Sequence, residues 1–170
     1  MTRSTPTPGS RRPIRSLTAG TLGVALTVAG TSLALAPAAS AANVTGQITG
    51  YQGLCLDDRS ASTANGNPVQ VYTCNGTAAQ QWSVVQAGST LHVLGKCLDV
   101  YAAGTANGTK VDLYDCNGTG SQVFIPQSNG SLYNPQSNRC LDVPGATTQS
   151  GTQVQIYDCN GTNAQQWTLP

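Results

Sequence analysis

The sequence predicts an all-β domain made of three copies of one unit around a threefold pseudo-axis, preceded by an N-terminal export signal. Three observations carry this. Composition breaks sharply near residue 41, one block pattern returns at steps of 42 and 43 residues, and six cysteines fall as three pairs spaced by 19.

The leader comes first. Arg3, Arg11, Arg12 and Arg15 form a positive segment free of acidic residues, and Leu17 to Leu35 is an uncharged run of mostly Ala, Leu, Val, Gly and Thr that ends at Pro37. Ala39-Ser40-Ala41 is the small-residue pattern of a signal-peptide cleavage site, which places the cut between Ala41 and Ala42, with Ala36-Pro37-Ala38 as a second choice. A retained membrane anchor is the alternative, but Gly20, Gly23, Gly30 and the interspersed threonines dilute the run. The expectation is a signal peptide over 1–41 and a secreted, extracellular protein over 42–170 with no stable membrane anchor after cleavage. Residues 42–170, 129 in number, make one domain with one core.

The charge of this domain narrows its partners. Arg59, Lys96, Lys110 and Arg139 stand against seven aspartates and no glutamate, a net charge of −3 for 42–170. The basic footprint of a nucleic-acid binder is missing, so no nucleic-acid partner is expected. Asn, Gln, Ser, Thr and Gly dominate instead, a surface suited to neutral hydroxylated ligands.

The repeats are explicit. Cys55-Leu56-Asp57 returns as Cys97-Leu98-Asp99 and Cys140-Leu141-Asp142. Val69-Gln70-Val71-Tyr72 returns as Val111-Asp112-Leu113-Tyr114 and Val154-Gln155-Ile156-Tyr157, each followed two residues later by Cys-Asn-Gly-Thr. Each copy closes on Gln80-Gln81-Trp82, Gln122-Val123-Phe124 or Gln165-Gln166-Trp167. The units run over 44–85, 86–128 and 129–170. Apolar and polar residues alternate with period two in short runs between Asn-Gly and Ser-Gly punctuation, which predicts strands, and no sustained helical stripe occurs. Units of about four short strands cannot each bury an apolar face alone, so they close together. A propeller would need at least about four blades, and three units give a β-trefoil.

Six cysteines allow fifteen pairings. Repeat symmetry selects Cys55 with Cys74, Cys97 with Cys116 and Cys140 with Cys159, because other pairings break the equivalence of the units. Each bond closes a loop of about 20 residues and contributes on the order of 3 kcal/mol in the loop-entropy model. No C-x₂-C spacing occurs and His92 is the only histidine, so neither a metal nor a cofactor is expected. His92, between Leu91 and Val93, reads as an ordinary strand residue.

The triplicated C-L-D, V-x-V/I/L-Y-x-C and Q-x-W/F motifs resemble those of the ricin B-type lectins and the related carbohydrate-binding modules of secreted bacterial glycosidases. The resemblance covers residues 44–170 and implies a β-trefoil with up to three shallow sugar pockets. It implies Asp57, Asp99 and Asp142 as acceptors for ring hydroxyls and Tyr72, Tyr114 and Tyr157 as flat platforms. Gln70 and Gln155 take the family's second polar position, where the central repeat has Asp112. Gln80, Gln122 and Gln165 are similar to the amide that holds the aspartate in place. The residue before that last glutamine, typically Asn in sugar-binding repeats, is here Ala79, Ser121 and Ala164, with Asn163 one position earlier as a substitute in the third repeat. The order of competence is therefore third, first, then central.

Each assignment has a structural competitor. The aspartates could serve turns, the tyrosines could pack in strands, and the Asn-Gly-Thr triplets, formally glycosylation sequons, suit a turn after each cysteine. Trp82, Phe124 and Trp167 belong to the core. Glycosidic hydrolysis normally takes two carboxylates at defined separation, and these aspartates are spread around a threefold axis, so no catalytic residues are expected. The expected function is non-catalytic binding of a neutral polysaccharide or a galactose- or xylose-type glycan. The alternative is a secreted protein-interaction module such as a hydrolase inhibitor; it needs one special loop, whereas a multivalent lectin needs one polar set repeated.

Overall fold

In the computed structural model, residues 43–87 and 89–170 are described, and the expected signal peptide lies outside them. Alternating sequence becomes short strand throughout. The first repeat supplies β1 (Val44–Gly46), β2 (Cys55–Asp58), β3 (Asn67–Tyr72) and β4 (Trp82–Val85). The second supplies β5 (Thr90–Val93), β6 (Lys96–Val100), β7 (Val111–Tyr114) and β8 (Ile125–Pro126). The third supplies β9 (Leu132–Asn134), β10 (Arg139–Asp142), β11 (Thr152–Gln153) and β12 (Gln155–Tyr157). Among the described residues there is no α-helix, only seven 3₁₀ turns.

Two rings of hydrogen bonds close the fold. In the first, β1 pairs β4, β4 pairs β5, the Phe124 N–H donates to Ser89 O (2.7 Å) and β8 pairs β9. The Trp167 N–H then donates to Gly130 O (2.8 Å), and Thr168 and Thr49 exchange bonds of 2.7 and 3.0 Å, which returns to the first repeat. The second ring joins the hairpins that carry C-L-D. The Gly66 N–H donates to Leu113 O, the Gly108 N–H to Ile156 O and the Gly151 N–H to Val71 O, at 2.8 to 2.9 Å. All three glycines have φ between 82° and 92°, the left-handed region that a side chain disfavours.

The core follows the threefold pattern. Ile48, Leu91 and Leu132 form one buried set, Leu56, Leu98 and Leu141 a second, Val69, Val111 and Val154 a third, and Val71, Leu113 and Ile156 a fourth. Trp82, Phe124 and Trp167 are buried, as the sequence predicts. One position departs: where the later repeats bury Val100 and Val143, the first buries Asp58. The three within-repeat disulfides are formed, each with Cα atoms 5.1 Å apart, within the range such a bond requires.

Candidate carbohydrate-binding site

Strand pairing places each C-L-D aspartate opposite the second polar position of its own repeat. Asp57 faces Gln70 across β2 and β3, Asp99 faces Asp112 across β6 and β7, and Asp142 faces Gln155 across β10 and β12. In the same registers Cys55, Cys97 and Cys140 face Tyr72, Tyr114 and Tyr157, so each disulfide anchors the strand end that presents a tyrosine. These tyrosines are 39, 43 and 40 % exposed, too open for core packing. Aspartate and tyrosine of each repeat line one hollow, of 360 Å³ in the first repeat, 590 Å³ in the second and 340 Å³ in the third.

In the first and third repeats the carboxylate is held by two amides. Asp57 Oδ1 accepts from Gln70 Nε2 (2.8 Å) and Oδ2 from Gln80 Nε2 (3.0 Å). Asp142 Oδ1 accepts from Gln155 Nε2 (2.9 Å) and Oδ2 from Gln165 Nε2 (3.1 Å). Each oxygen keeps lone-pair capacity for a hydroxyl donor, because an ionised carboxylate accepts about four bonds. A cation steadies each outer amide: Arg59 Nε donates to Gln70 Oε1 (3.0 Å) and Lys110 Nζ to Gln155 Oε1 (3.4 Å). The closing aromatics reinforce the arrangement from behind. Trp82 Nε1 donates to Leu56 O (2.8 Å) and Trp167 Nε1 to Leu141 O (3.1 Å), tying each closing motif to the strand that carries the aspartate. The Phe124 side chain has no N–H to do this for Leu98.

Gln80 and Gln165 hold the aspartates as expected, while the place of the closing glutamines and of Asn163 as ligand contacts is corrected by position. Gln80, Gln122 and Gln165 are fully buried or nearly so and line no hollow; they position other groups rather than meet a ligand. Gln122 donates to Asp115 O (2.9 Å) and accepts from the Asn117 N–H (2.9 Å). Asn163 faces a different hollow, with Thr49, Gly50 and Gln166, because it begins a 3₁₀ turn (Asn163–Gln165) that aims it away from Asp142. Its neighbour Asn160 lines the third pocket, as Asn75 and Asn117 line the other two. These asparagines are the turn residues the sequence suggested, since Asn75 Oδ1 accepts from the N–H and hydroxyl of Thr77, and Asn117 and Asn160 repeat this with Thr119 and Thr162.

Sequence reasoning also missed the wall opposite each tyrosine. It is a 3₁₀ turn in every repeat, Arg59–Ala61, Tyr101–Ala103 and Pro144–Ala146. Ser60, Ala61, Ala102, Ala103 and Ala146 there have φ of 48° to 60°, with only Gly145 suited to it. Backbone strain of this kind persists only where surrounding structure enforces it, and here it recurs at all three hollows.

The central pocket differs electrostatically. Asp112, 3 % exposed, leaves Oδ1 without a hydrogen-bond partner. Burial and the facing Asp99 push its pKa up to about 7. Burial also raises Asp99, with the Gln122 amide offsetting part of the rise. In the first repeat, burial raises Asp58 to about 6, with the Asn67 side chain opposing and Asp57 adding to the rise. His92 lies in β5 as expected and its Nε2 bonds the Thr90 hydroxyl (2.9 Å), while burial lowers its pKa. It nears the sulfurs of Cys97 and Cys116, but these are joined to each other and so offer no thiolate.

A profile of the ricin-type β-trefoil lectin domain matches residues 44–169. The chain belongs to this lectin family. It is therefore a carbohydrate-binding protein. Among solved structures, this lectin domain is similar to ThreeFoil, a designed threefold symmetric protein, at 32 % identity and a TM-score of 0.68, covering 72 % of this chain and 95 % of that one. The agglutinin of Abrus precatorius is 27 % identical, with a TM-score of 0.70 over 77 % of this chain and 49 % of that one. A non-toxic homologue of type II RIPs from Momordica charantia (bitter gourd), solved in complex with α-methyl-D-galactoside, is 30 % identical, with a TM-score of 0.66 over 74 % of this chain and 47 % of that one. The chain thus spans about half of each plant protein. No curated sequence matches it significantly.

Proposed function

We propose that the protein is exported and acts outside the cell as a non-catalytic binder of neutral glycans, of galactose or xylose type, through its first and third pockets. The observation that carries this reading is the carboxylate held by two amides beside an exposed tyrosine, repeated at Asp57 and Asp142. Such a site offers a charged acceptor for two ring hydroxyls and an aromatic face for the C–H side of the ring, the few fixed polar groups that orient a small ligand. The bitter-gourd homologue's α-methyl-D-galactoside complex favours the galactose type. Three disulfides and an arginine-led apolar leader favour export into an oxidising compartment. Each shallow pocket binds one sugar weakly, and two pockets on one rigid body gain by avidity when a polymer reaches both.

The test is quantitative binding of residues 42–170 to immobilised galactan and xylan, with a melting curve for each variant. A site with a dissociation constant near 1 mM holds about 4 kcal/mol, so loss of one charge-assisted bond of roughly 1.5 to 3 kcal/mol nearly abolishes it. Asp142→Ala is expected to weaken binding most, Asp57→Ala next and Asp99→Ala least. Undiminished binding by a folded Asp57→Ala/Asp142→Ala protein would remove these pockets from the function.

A further inference from the structure

The three pockets are not electrically alike, and the difference is traceable residue by residue. In the first, Arg59 contacts the amide of Gln70; in the third, Lys110 contacts that of Gln155. The positions matching Arg59 and Lys110 around the central pocket are Tyr101 and Pro68, the latter paired with Asp112 in register. Among the described residues no lysine or arginine lines the central hollow. The outer amide itself is replaced there by Asp112, so two carboxylates face each other with neither an amide between them nor a cation beside them. Both are buried and line the hollow; Asp112 Oδ1 is without a partner, and Oδ2 lies 3.9 Å from where a Cβ on Gly66, another lining residue, would stand. A buried carboxylate left short of partners lacks donors that a ligand can bring to the face meeting the hollow.

We infer that the central pocket binds a protonated primary amine on a sugar ring, as in a glucosamine unit with its amino group free, and thereby gives the protein a second specificity beside its neutral-glycan sites. An ammonium supplies three donors and one positive charge, enough to bond the Asp112 and Asp99 carboxylates together. Tyr114 and the 59 % exposed Tyr101 line the same hollow and add aromatic faces that attract a cation. The hollow of 590 Å³ is the largest of the three, with Asn117 and Gln136 on its wall for ring hydroxyls. A divalent metal fits worse, because it takes six or more oxygens and no third acidic, histidine or cysteine ligand joins the pair among the described residues. The raised pKa of Asp112 agrees with the arrangement: bound ammonium would favour its charged form, so a proton leaves Asp112 while a sugar amine that is partly neutral near pH 7 takes one up.

The inference rests on the carbohydrate-binding reading but is tested separately from it. Calorimetry at pH 7 compares a fully deacetylated glucosamine tetramer with its N-acetylated counterpart, in two buffers of different ionisation heat. The expected result is binding of the free amine at least about tenfold tighter, and loss of that preference in Asp112→Gln, which copies the outer pockets. Asp112→Asn serves the same purpose should the longer side chain not fold, as a melting curve decides. Equal affinity for the two tetramers, or a preference that survives in a folded Asp112 variant, overturns the proposal. So does calcium chloride that binds at this pocket and displaces the amine. Neither result touches galactan binding, which Asp57 and Asp142 report on their own.

Discussion

Asp58 and Asp112 show how a single side chain can set a molecule's response to pH. Both are buried, and their carboxyl groups titrate near 6 and 7 rather than at the usual 3.8. Between the unfolded and folded values the native state holds more protons than the unfolded chain, so stability falls as pH rises. The favourable contribution is complete below about 3.8 and is lost as pH passes 6 for Asp58 and 7 for Asp112. We expect the melting temperature to fall across this window and the slope to flatten in Asp58→Asn/Asp112→Asn, as calorimetric scans at pH 4, 6 and 8 would show. A double variant as steep as the parent would assign the slope to other groups. Asp58 stands where Val100 and Val143 pack, so Asp58→Val is a second route to the same flattening.

At the scale of the element, the pocket wall is the instructive case. Pro144–Ala146 uses one glycine in a left-handed conformation, where the sibling walls use Ser60 and Ala102. A Cβ built on Gly145 meets nothing within 4 Å, so Gly145→Ala tests backbone preference free of packing. It should lower stability by about 1 kcal/mol with the third pocket's lining unchanged, whereas Ala146→Gly should be neutral or stabilising; denaturant midpoints at constant slope decide. The wall was illegible in the sequence because non-glycine residues at positive φ leave no local signature. Period-two runs such as Val69-Gln70-Val71-Tyr72 did reveal the strands, and equal cysteine spacing revealed the pairing, since both signals lie within one unit. The aspartates, tyrosines and outer glutamines were legible as a pocket through the family resemblance that their repeated motifs carry. Asn163 misled because one residue of offset in a 3₁₀ turn reverses the direction of a side chain. The burial of Asp112 was hidden too, for it depends on Pro68 of another repeat.

The whole molecule is a ring of three joints, and the joints are unequal. Asn65 of the first repeat exchanges hydrogen bonds with Asp115 of the second, 2.8 and 3.0 Å, and Lys96 pairs with that aspartate. Asn107 does the same with Asp158 of the third repeat, 2.7 and 2.8 Å, with Arg139 as the cation. At the matching positions of the third joint, back to the first repeat, the Ser150 hydroxyl accepts from the Thr73 N–H at 2.9 Å, and Arg59 donates to Gly151 O at 3.3 Å beside it. Peptide linkage runs from first to second unit and from second to third, and never from third to first. The joint without a covalent link is thus also the one that has Thr73 where the other two have an aspartate paired with a cation. We expect the ring to open there first, with amide exchange faster at Gly151 and Thr73 than at Gly66 and Asp115. Ser150→Asn with Thr73→Asp copies the stronger pattern and should raise the melting temperature by a few degrees while slowing exchange at Gly151. An opened joint also frees the third unit to settle on the first unit of another molecule. Reciprocal exchange of that kind produces a closed pair with every native bond intact and twice the number of glycan pockets, so slow dimerisation at high concentration would trace to one serine and one threonine.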